Sequence, residues 1–410
     1  MTINFKSSVA GNTADLDQLL IRKSPSAAIN YAFPAWGIGN SSNLYGGLGD
    51  GTTISTGKIS SPVYVSSHGP YKQMVREYQY TYGLRYDNTL WCWGYTYSGI
   101  EAGAGISTQT FLQTGLSGIT MAGSLPVQVG SRSTYYSNAY IPTYWNKIAS
   151  GPGGLLAIAS DGGMWTFGGT NVYYVYGSGY GGGSNALAFQ APVKIGTDSW
   201  VDVSVGYDHY LGIKSDKTLY AWGRNSSGQV GDGTTLNKYI SPLQIGTSSW
   251  TAISAGTFHT AAIRSDGALF TWGYNVSGQL GDSTTTDKSS PVQIGTSSWS
   301  VVSMGYRHTA AIKIDGTLWA WGYNASGQLG DGTTVDKSSP VQIGTLTTWI
   351  DVKATSNYST VALKNDGTLW MWGDGVTYDR IPDGATIRTS RSSPVQIAAG
   401  HYNNIIYTSN

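Results

Sequence analysis

One cysteine, Cys92, stands among 410 residues, so the chain has no intramolecular disulfide framework and no cysteine-based zinc site. Charge is scarce too: 11% of residues are Asp, Glu, Lys or Arg, against roughly 25% in ordinary globular chains. The formal net charge is +1, with Lys and Arg scattered rather than clustered. The electrostatic footprint of a nucleic-acid binder is therefore missing. Long hydrophobic runs are missing as well. The opening segment, residues 1–28, holds nothing longer than Leu19-Leu20-Ile21, so neither a secretory signal nor a membrane span is expected. Gly181-Gly182-Gly183 lacks the Lys-Ser/Thr that a Walker phosphate loop requires. No serine sits in a Gly-x-Ser-x-Gly nucleophile turn with supporting partners.

Glycine (56), tyrosine (29) and tryptophan (15) are what the chain has in quantity. Disordered chains carry charge rather than rings, so disorder is excluded; many short strands joined by glycine-rich turns fit better. Three segments, from Ser199, Ser249 and Ser298, align almost without gaps. Their Trp-Gly pairs, with that of Trp372, stand at Trp222, Trp272, Trp321 and Trp372, and weaker copies supply Trp36, Trp93 and Phe167. A second landmark, proline before Val or Leu, recurs at Pro62, Pro126, Pro192, Pro242, Pro291, Pro340 and Pro394. Two independent markers each count seven units of about fifty residues, the signature of a repeat architecture.

Each unit reads as four strands. Trp250 to Ala255 and His259 to Arg264 are small and apolar, as strands buried on both faces should be. Asp266-Gly267, Asp315-Gly316, Asp366-Gly367 and Asp161-Gly162 supply hairpin turns, approximated by Asp87-Asn88. A third strand ends on Trp-Gly, a polar loop follows, and the proline opens the fourth strand. Such a sheet cannot bury both faces alone, so units must stack, and radial stacking leaves no long edges. The chain ends on IAAGHYNNIIYTSN, which reads as the first two strands of a unit, and its ordered pattern begins at AINYAFPAWG, which reads as the third. The expected fold is therefore all-β: a seven-bladed β-propeller over residues 29–410, one blade completed by both termini, preceded by a short docking or flexible arm at 1–28.

The run Trp-Gly-x-Asn-x-Ser-Gly-Gln-Leu-Gly-Asp-Gly-Thr, preceded by Gly-x-x-His and followed by Ser-Pro, closely resembles the regulator of chromosome condensation repeat family. The resemblance covers 29–410, is tight from about 196 to 373, and points to a phage or bacterial member. It implies a seven-bladed propeller used as a binding platform. Its relatives include an exchange factor for guanine nucleotides on chromatin and secreted bacterial inhibitors of β-lactamase.

No catalytic, metal or cofactor residue is expected. His209, His259 and His308 recur at one place in successive units and point along different spokes, so hydrogen bonding within or between blades suits them better than a shared metal. Asp50, Asp232, Asp282 and Asp331 lack the further carboxylates that calcium wants, and read as loop-ordering groups. The expected binding surface lies where the repeat breaks. Trp93 to Pro126 takes 33 residues where the regular units take 19 or 20, and Pro126 to Trp145 takes 19 where Pro242 to Trp250 takes 8. These insertions and the third unit's loop carry Tyr95, Tyr97, Tyr135, Tyr136, Tyr140, Tyr144, Tyr173, Tyr174, Tyr176 and Tyr180 among Gly, Ser and Asn. That composition suits a contact surface, or tyrosines packed on their own blades. The regular loop at Asn324 and Gln328 is expected to tolerate replacement.

A Tyr/Asn/Ser/Thr-rich, charge-poor surface without a secretion signal leads to one functional expectation: a non-enzymatic bacteriophage virion protein. It would be a tail-fibre, tail-tip or head-decorating propeller for assembly or host attachment. Its partners would be other virion proteins or a host surface receptor, with homo-oligomers open, and no nucleic acid or membrane insertion. The alternative is a soluble, cytoplasmic protein-binding regulator or inhibitor.

Overall fold

The computed structural model describes residues 19–23, 35–39, 59–64, 71–77, 80–95, 122–128, 142, 144–151, 154–167, 193–356, 358–375, 389–398 and 402–407. Every regular element among them is a β-strand. Counted there, the strands fall into seven four-stranded antiparallel sets, in keeping with the seven landmarks. Blade 4, for example, runs Trp200–Val205, His209–Lys214, Leu219–Gly223 and Lys238–Gln244 in spatial order. Blades 5 and 6 are joined by one strand, Lys288–Met304, which closes the first and opens the second. The first strands of the blades, Tyr71–Glu77 through Trp349–Ala354 and on to Tyr402–Tyr407, each lie beside the next around a closed ring. The molecule is a β-propeller.

The closing blade is built differently from the expectation. Its order is Tyr402–Tyr407, Leu19–Lys23, Ala35–Gly39, Ile59–Tyr64. Ile21 pairs with Ile405 on one side and Trp36 on the other. The C-terminal segment thus supplies one strand and the N-terminal segment three, where two and two were expected. The small apolar cluster at Leu19 to Ile21 belongs to the sheet, so an arm reaching to residue 28 is too long by at least one strand. The physical reason is edge pairing: the third strand, Ala35–Gly39, needs a partner on its inner side, and Leu19–Lys23 provides it.

The hydrophobic core sits between blades rather than within them. Ala310, Ile312, Leu318 and Ala320 of blade 6 pack on Trp349, Val352, Ala362 and Trp372 of blade 7. Blades 4 and 5 repeat this with Leu211, Ile213, Trp250 and Trp272. Each Trp-Gly tryptophan from Trp222 to Trp372 is fully buried, and such a ring dominates the local packing energy, with loss costing about 3–5 kcal/mol. The second strands are buried on both faces, which explains why their sequence is Ala- and Thr-rich: bulk would push neighbouring blades apart.

The Asp-Gly turns form as read. In blade 6 the Gly316 N–H donates to the Lys313 carbonyl at 2.9 Å, and the Lys313 N–H to the Thr317 carbonyl at 3.0 Å. Gly316 takes φ of 79°, the left-handed residue that ends a type I turn in a hairpin. Asp315 Oδ1 completes the turn by accepting from the Thr317 N–H at 2.9 Å.

Candidate binding face

The first strand of a blade runs toward one face of the propeller and the second returns. Loops after the first and third strands therefore share a face, while hairpin turns and blade-to-blade connections share the opposite one. On the first face, each regular blade brings two segments together: Gly-x-x-His and the residues after Trp-Gly.

The histidines fix this end of the sheet. His209, His259 and His308 are fully buried. His209 Nε2 lies 3.0 Å from Thr260 Oγ1 of the next blade, and His308 Nε2 lies 3.1 Å from Thr360 Oγ1. Each threonine hydroxyl gives its proton to a loop carbonyl, Gln229 at 2.8 Å and Gln328 at 2.7 Å, so the histidine Nε2–H is the donor. His259 and Thr309 form the same pair at 3.4 Å. Burial drives the ring pKa values down from 6.5, to about 3 for His209 and His259 and about 4 for His308. The rings are neutral struts between blades. Gly206 is glycine because a Cβ there would stand 2.4 Å from the His209 ring.

The long loop after the third strand is ordered from inside. Asn324 Nδ2 donates to Asp331 Oδ1 at 3.2 Å and to the Thr333 carbonyl at 3.1 Å, while its Oδ1 accepts from the Leu329 N–H at 3.0 Å. Asn225 and Asn275 do the same with Asp232 and Asp282. Burial would raise these aspartates, but bonds from Thr, Asn and Lys outweigh it and hold Asp232, Asp282 and Asp331 below the usual carboxylate range. Three of the four repeated aspartates thus order their loops; Asp50 lies outside the described residues. Asn324 and Gln328 are fully buried, and the Gln328 carbonyl also accepts from Trp372 Nε1 at 3.0 Å. The expectation that this loop tolerates replacement is therefore wrong: its side chains are internal struts.

Three positions per blade vary on this scaffold: the residue two before the histidine position, and the adjoining pair formed by the residue just before it and the residue after Trp-Gly. A backbone bond holds that pair side by side: the Arg224 N–H donates to Asp208 O, Tyr274 to Phe258, Tyr323 to Arg307 and Asp374 to Tyr358, all at 2.7–2.9 Å. Blade 4 fills the pair with an ion pair, Arg224 Nη1 to Asp208 Oδ2 at 3.5 Å. Burial keeps the Asp208 carboxyl above its usual pKa although Arg224 pulls the other way. Rings continue from there. Tyr207 and Phe258 stand 5.7 Å apart, Phe258 and Tyr274 6.2 Å, Tyr306 and Tyr358 5.1 Å, and Tyr323 and Tyr358 5.6 Å. The Arg307 guanidinium bridges the two groups, 5.5 Å from the Tyr274 ring and 5.3 Å from the Tyr306 ring. The result is a continuous aromatic and cationic band over blades 4 to 7, partly exposed throughout and most open at Tyr207, 45% exposed.

This band escaped the sequence reading, which looked for breaks in repeat length. The signal was present in substitution within constant length: Asp208, Phe258 and Arg307 differ between aligned repeats whose neighbours barely change. Of the ten tyrosines expected to bind, Tyr95 closes the third strand of blade 2, paired with Ala122. Tyr144 precedes Trp145 and is 53% exposed. The other eight lie outside the described residues. Tyr95 ends a third strand, at the face of the band, whereas Tyr144 stands just before the first strand of blade 3, at the opposite face.

Two models of the regulator of chromosome condensation (RCC1) repeat match the chain, one at residues 216–263, 266–312 and 315–363, the other at 200–229, 250–279 and 299–328. Residues 200–363 therefore carry repeats of the RCC1 family. Solved structures extend a likeness of fold over nearly the whole chain. One is the crystal structure of Kap60 bound to yeast RCC1 (Prp20), with TM-score 0.67 and 17% identity over 97% of this chain and 91% of that one. Human WBSCR16 gives 0.68 and 17% over 93% and 95%. Prp20p from Saccharomyces cerevisiae, described with its binding to Gsp1p and histones, gives 0.67 and 18% over 95% and 87%. At such identity the likeness is one of fold. No curated protein matches the chain. The residues matched, 200–363, run from blade 4 into the first two strands of blade 7 and hold the band.

Proposed function

We propose that this RCC1-repeat propeller is a non-catalytic, protein-binding regulator that meets its partner through the band on blades 4 to 7. The observation that carries the reading is composition at the variable positions: Tyr207, Arg224, Phe258, Tyr274, Tyr306 and Arg307 are of the types that dominate protein interfaces. A scaffold of repeated backbone with differing side chains at three aligned positions is how repeat proteins present a contact surface. The repeated histidines are committed to bonds between blades rather than to a reaction at this face. The yeast relative's pairing with Kap60, Gsp1p and histones supports the protein-binding class.

The narrower role, a virion protein of a bacteriophage located in the particle and bound to other virion proteins or a host receptor, rests on sequence features only: the charge-poor, Tyr/Asn/Ser/Thr-rich composition and the reading of the opening segment. The protein-binding reading therefore stands first. The test is affinity capture from the source cells with the full chain, followed by binding with the purified partner. A Tyr207→Ala, Tyr306→Ala double variant should lose at least about tenfold in affinity, the scale of two aromatic anchors, at unchanged Tm. A partner bound equally well by the variant would move the site elsewhere. Mass spectrometry of purified particles tests the virion role.

A further inference from the structure

We infer that Arg307, held between Tyr274 and Tyr306, is the docking point for an acidic segment of the partner protein, an inference that rests on the protein-binding reading of this face. Arg85, Arg224 and Arg264 each have an aspartate beside them, Asp87 at 3.4 Å, Asp208 at 3.5 Å and Asp266 at 2.7 Å. Arg307 has no carboxylate partner among the described residues; rings flank it instead, and its Nε is buried without an acceptor. Its own carbonyl is bound by the Tyr323 N–H at 2.8 Å, which fixes the backbone from which the side chain rises. A guanidinium stacked by aromatic rings keeps its fork oriented, so less freedom is lost when a planar carboxylate meets it. Two flanking phenols then offer contact area to the residues beside that carboxylate.

The chemistry selects a protein acid over a nucleic acid. Polyanion binding needs successive cations along a track. At the position of Arg307, blade 5 presents Phe258, blade 7 presents Tyr358, and blade 4 presents Asp208, itself a carboxylate paired with Arg224. A single oriented arginine amid rings suits one Asp or Glu near apolar residues.

The experiment pans a displayed library of random short peptides against the full chain and against Arg307→Gln and Arg307→Lys. Enrichment of Asp and Glu with the wild type, lost with R307Q and weakened with R307K, is the expected result. Synthetic copies of the selected peptides should bind about tenfold more weakly when their acids become amides, the scale of one charged hydrogen-bonded pair. Absence of acidic enrichment, or enrichment that survives R307Q, overturns the inference, as does Arg307-dependent binding of a single-stranded oligonucleotide in fluorescence anisotropy. Peptides that bind without acidic preference but are lost in Tyr306→Ala would overturn it while leaving the protein-binding reading of the face intact.

Discussion

At the scale of the residue, the buried histidines make stability depend on pH in a defined direction. His209, His259 and His308 stay neutral in the folded protein until about pH 3 to 4, whereas in the unfolded chain they take a proton near 6.5. Below pH 6.5 the unfolded state therefore binds more protons, and stability falls as pH falls, by at most about 1.4 kcal/mol per pH unit for each histidine. The loop aspartates, held low by their hydrogen bonds, add a further loss only as pH drops below their unfolded value of 3.8. Urea unfolding at a series of pH values should show a loss between pH 6.5 and 4.5. His308→Gln keeps an N–H for Thr360 but cannot titrate, so its slope in that window should be shallower. A wild-type profile flat across the window would contradict the buried, neutral rings.

At the scale of the element, the long loop of one blade is shaped by the tryptophan of the next. Gly330 takes φ of 81°, and a Cβ there would stand 2.5 Å from Trp372 Nε1; Gly281 stands likewise against Trp321. Gly344, in the connection to blade 7, takes φ of 64° with nothing within 4 Å. Alanine at either position meets the same left-handed strain, about 1–2 kcal/mol. At Gly330 it also overpacks a rigid interface, adding about 1–3 kcal/mol. Gly330→Ala should therefore lower stability clearly more than Gly344→Ala in equilibrium unfolding. Equal losses would mean that the loop can swing away from Trp372 and that the contact between blades is soft. The same logic accounts for the Gly-Gln-Leu-Gly-Asp run: its second glycine makes room for a neighbour's ring, its glutamine carbonyl receives that neighbour's threonine, and its leucine fills the core between them.

At the scale of the whole molecule, the ring is held shut by Tyr402–Tyr407, which pairs with Leu19–Lys23 and lies between the first strands of blades 7 and 2. Removing residues 398–410 takes away one strand and one bearing surface on each side, leaving Leu19–Lys23 as an open edge. The truncated chain should aggregate or unfold without a cooperative transition, read by size-exclusion chromatography and thermal melting. Loss of residues 1–18 alone should leave the ring closed and the melting transition intact. A truncation at 398 that melts like the full chain would show that the closing blade does not hold the ring.

What the sequence by itself determined is the local geometry and its repetition. Trp-Gly, the proline landmark and the Asp-Gly turns are set by backbone conformation and burial within a few residues, so they are legible one unit at a time. They sufficed for the propeller and for the structural place of His209, His259, His308, Asp232, Asp282 and Asp331, and the seven units they count are consistent with the strand sets described. Tertiary structure decided everything that depends on which unit lies beside which. The partner of each histidine is a threonine about fifty residues away, and the strand beside Ala35–Gly39 comes from a segment that resembles no repeat. Sequence periodicity aligns equivalent positions but does not say that the two residues before the histidine and the residue after Trp-Gly share one surface. That juxtaposition, made by a backbone hydrogen bond across the sheet and by neighbouring blades brought within ring contact, is what turns Tyr207, Phe258, Tyr274, Tyr306 and Arg307 into a single face.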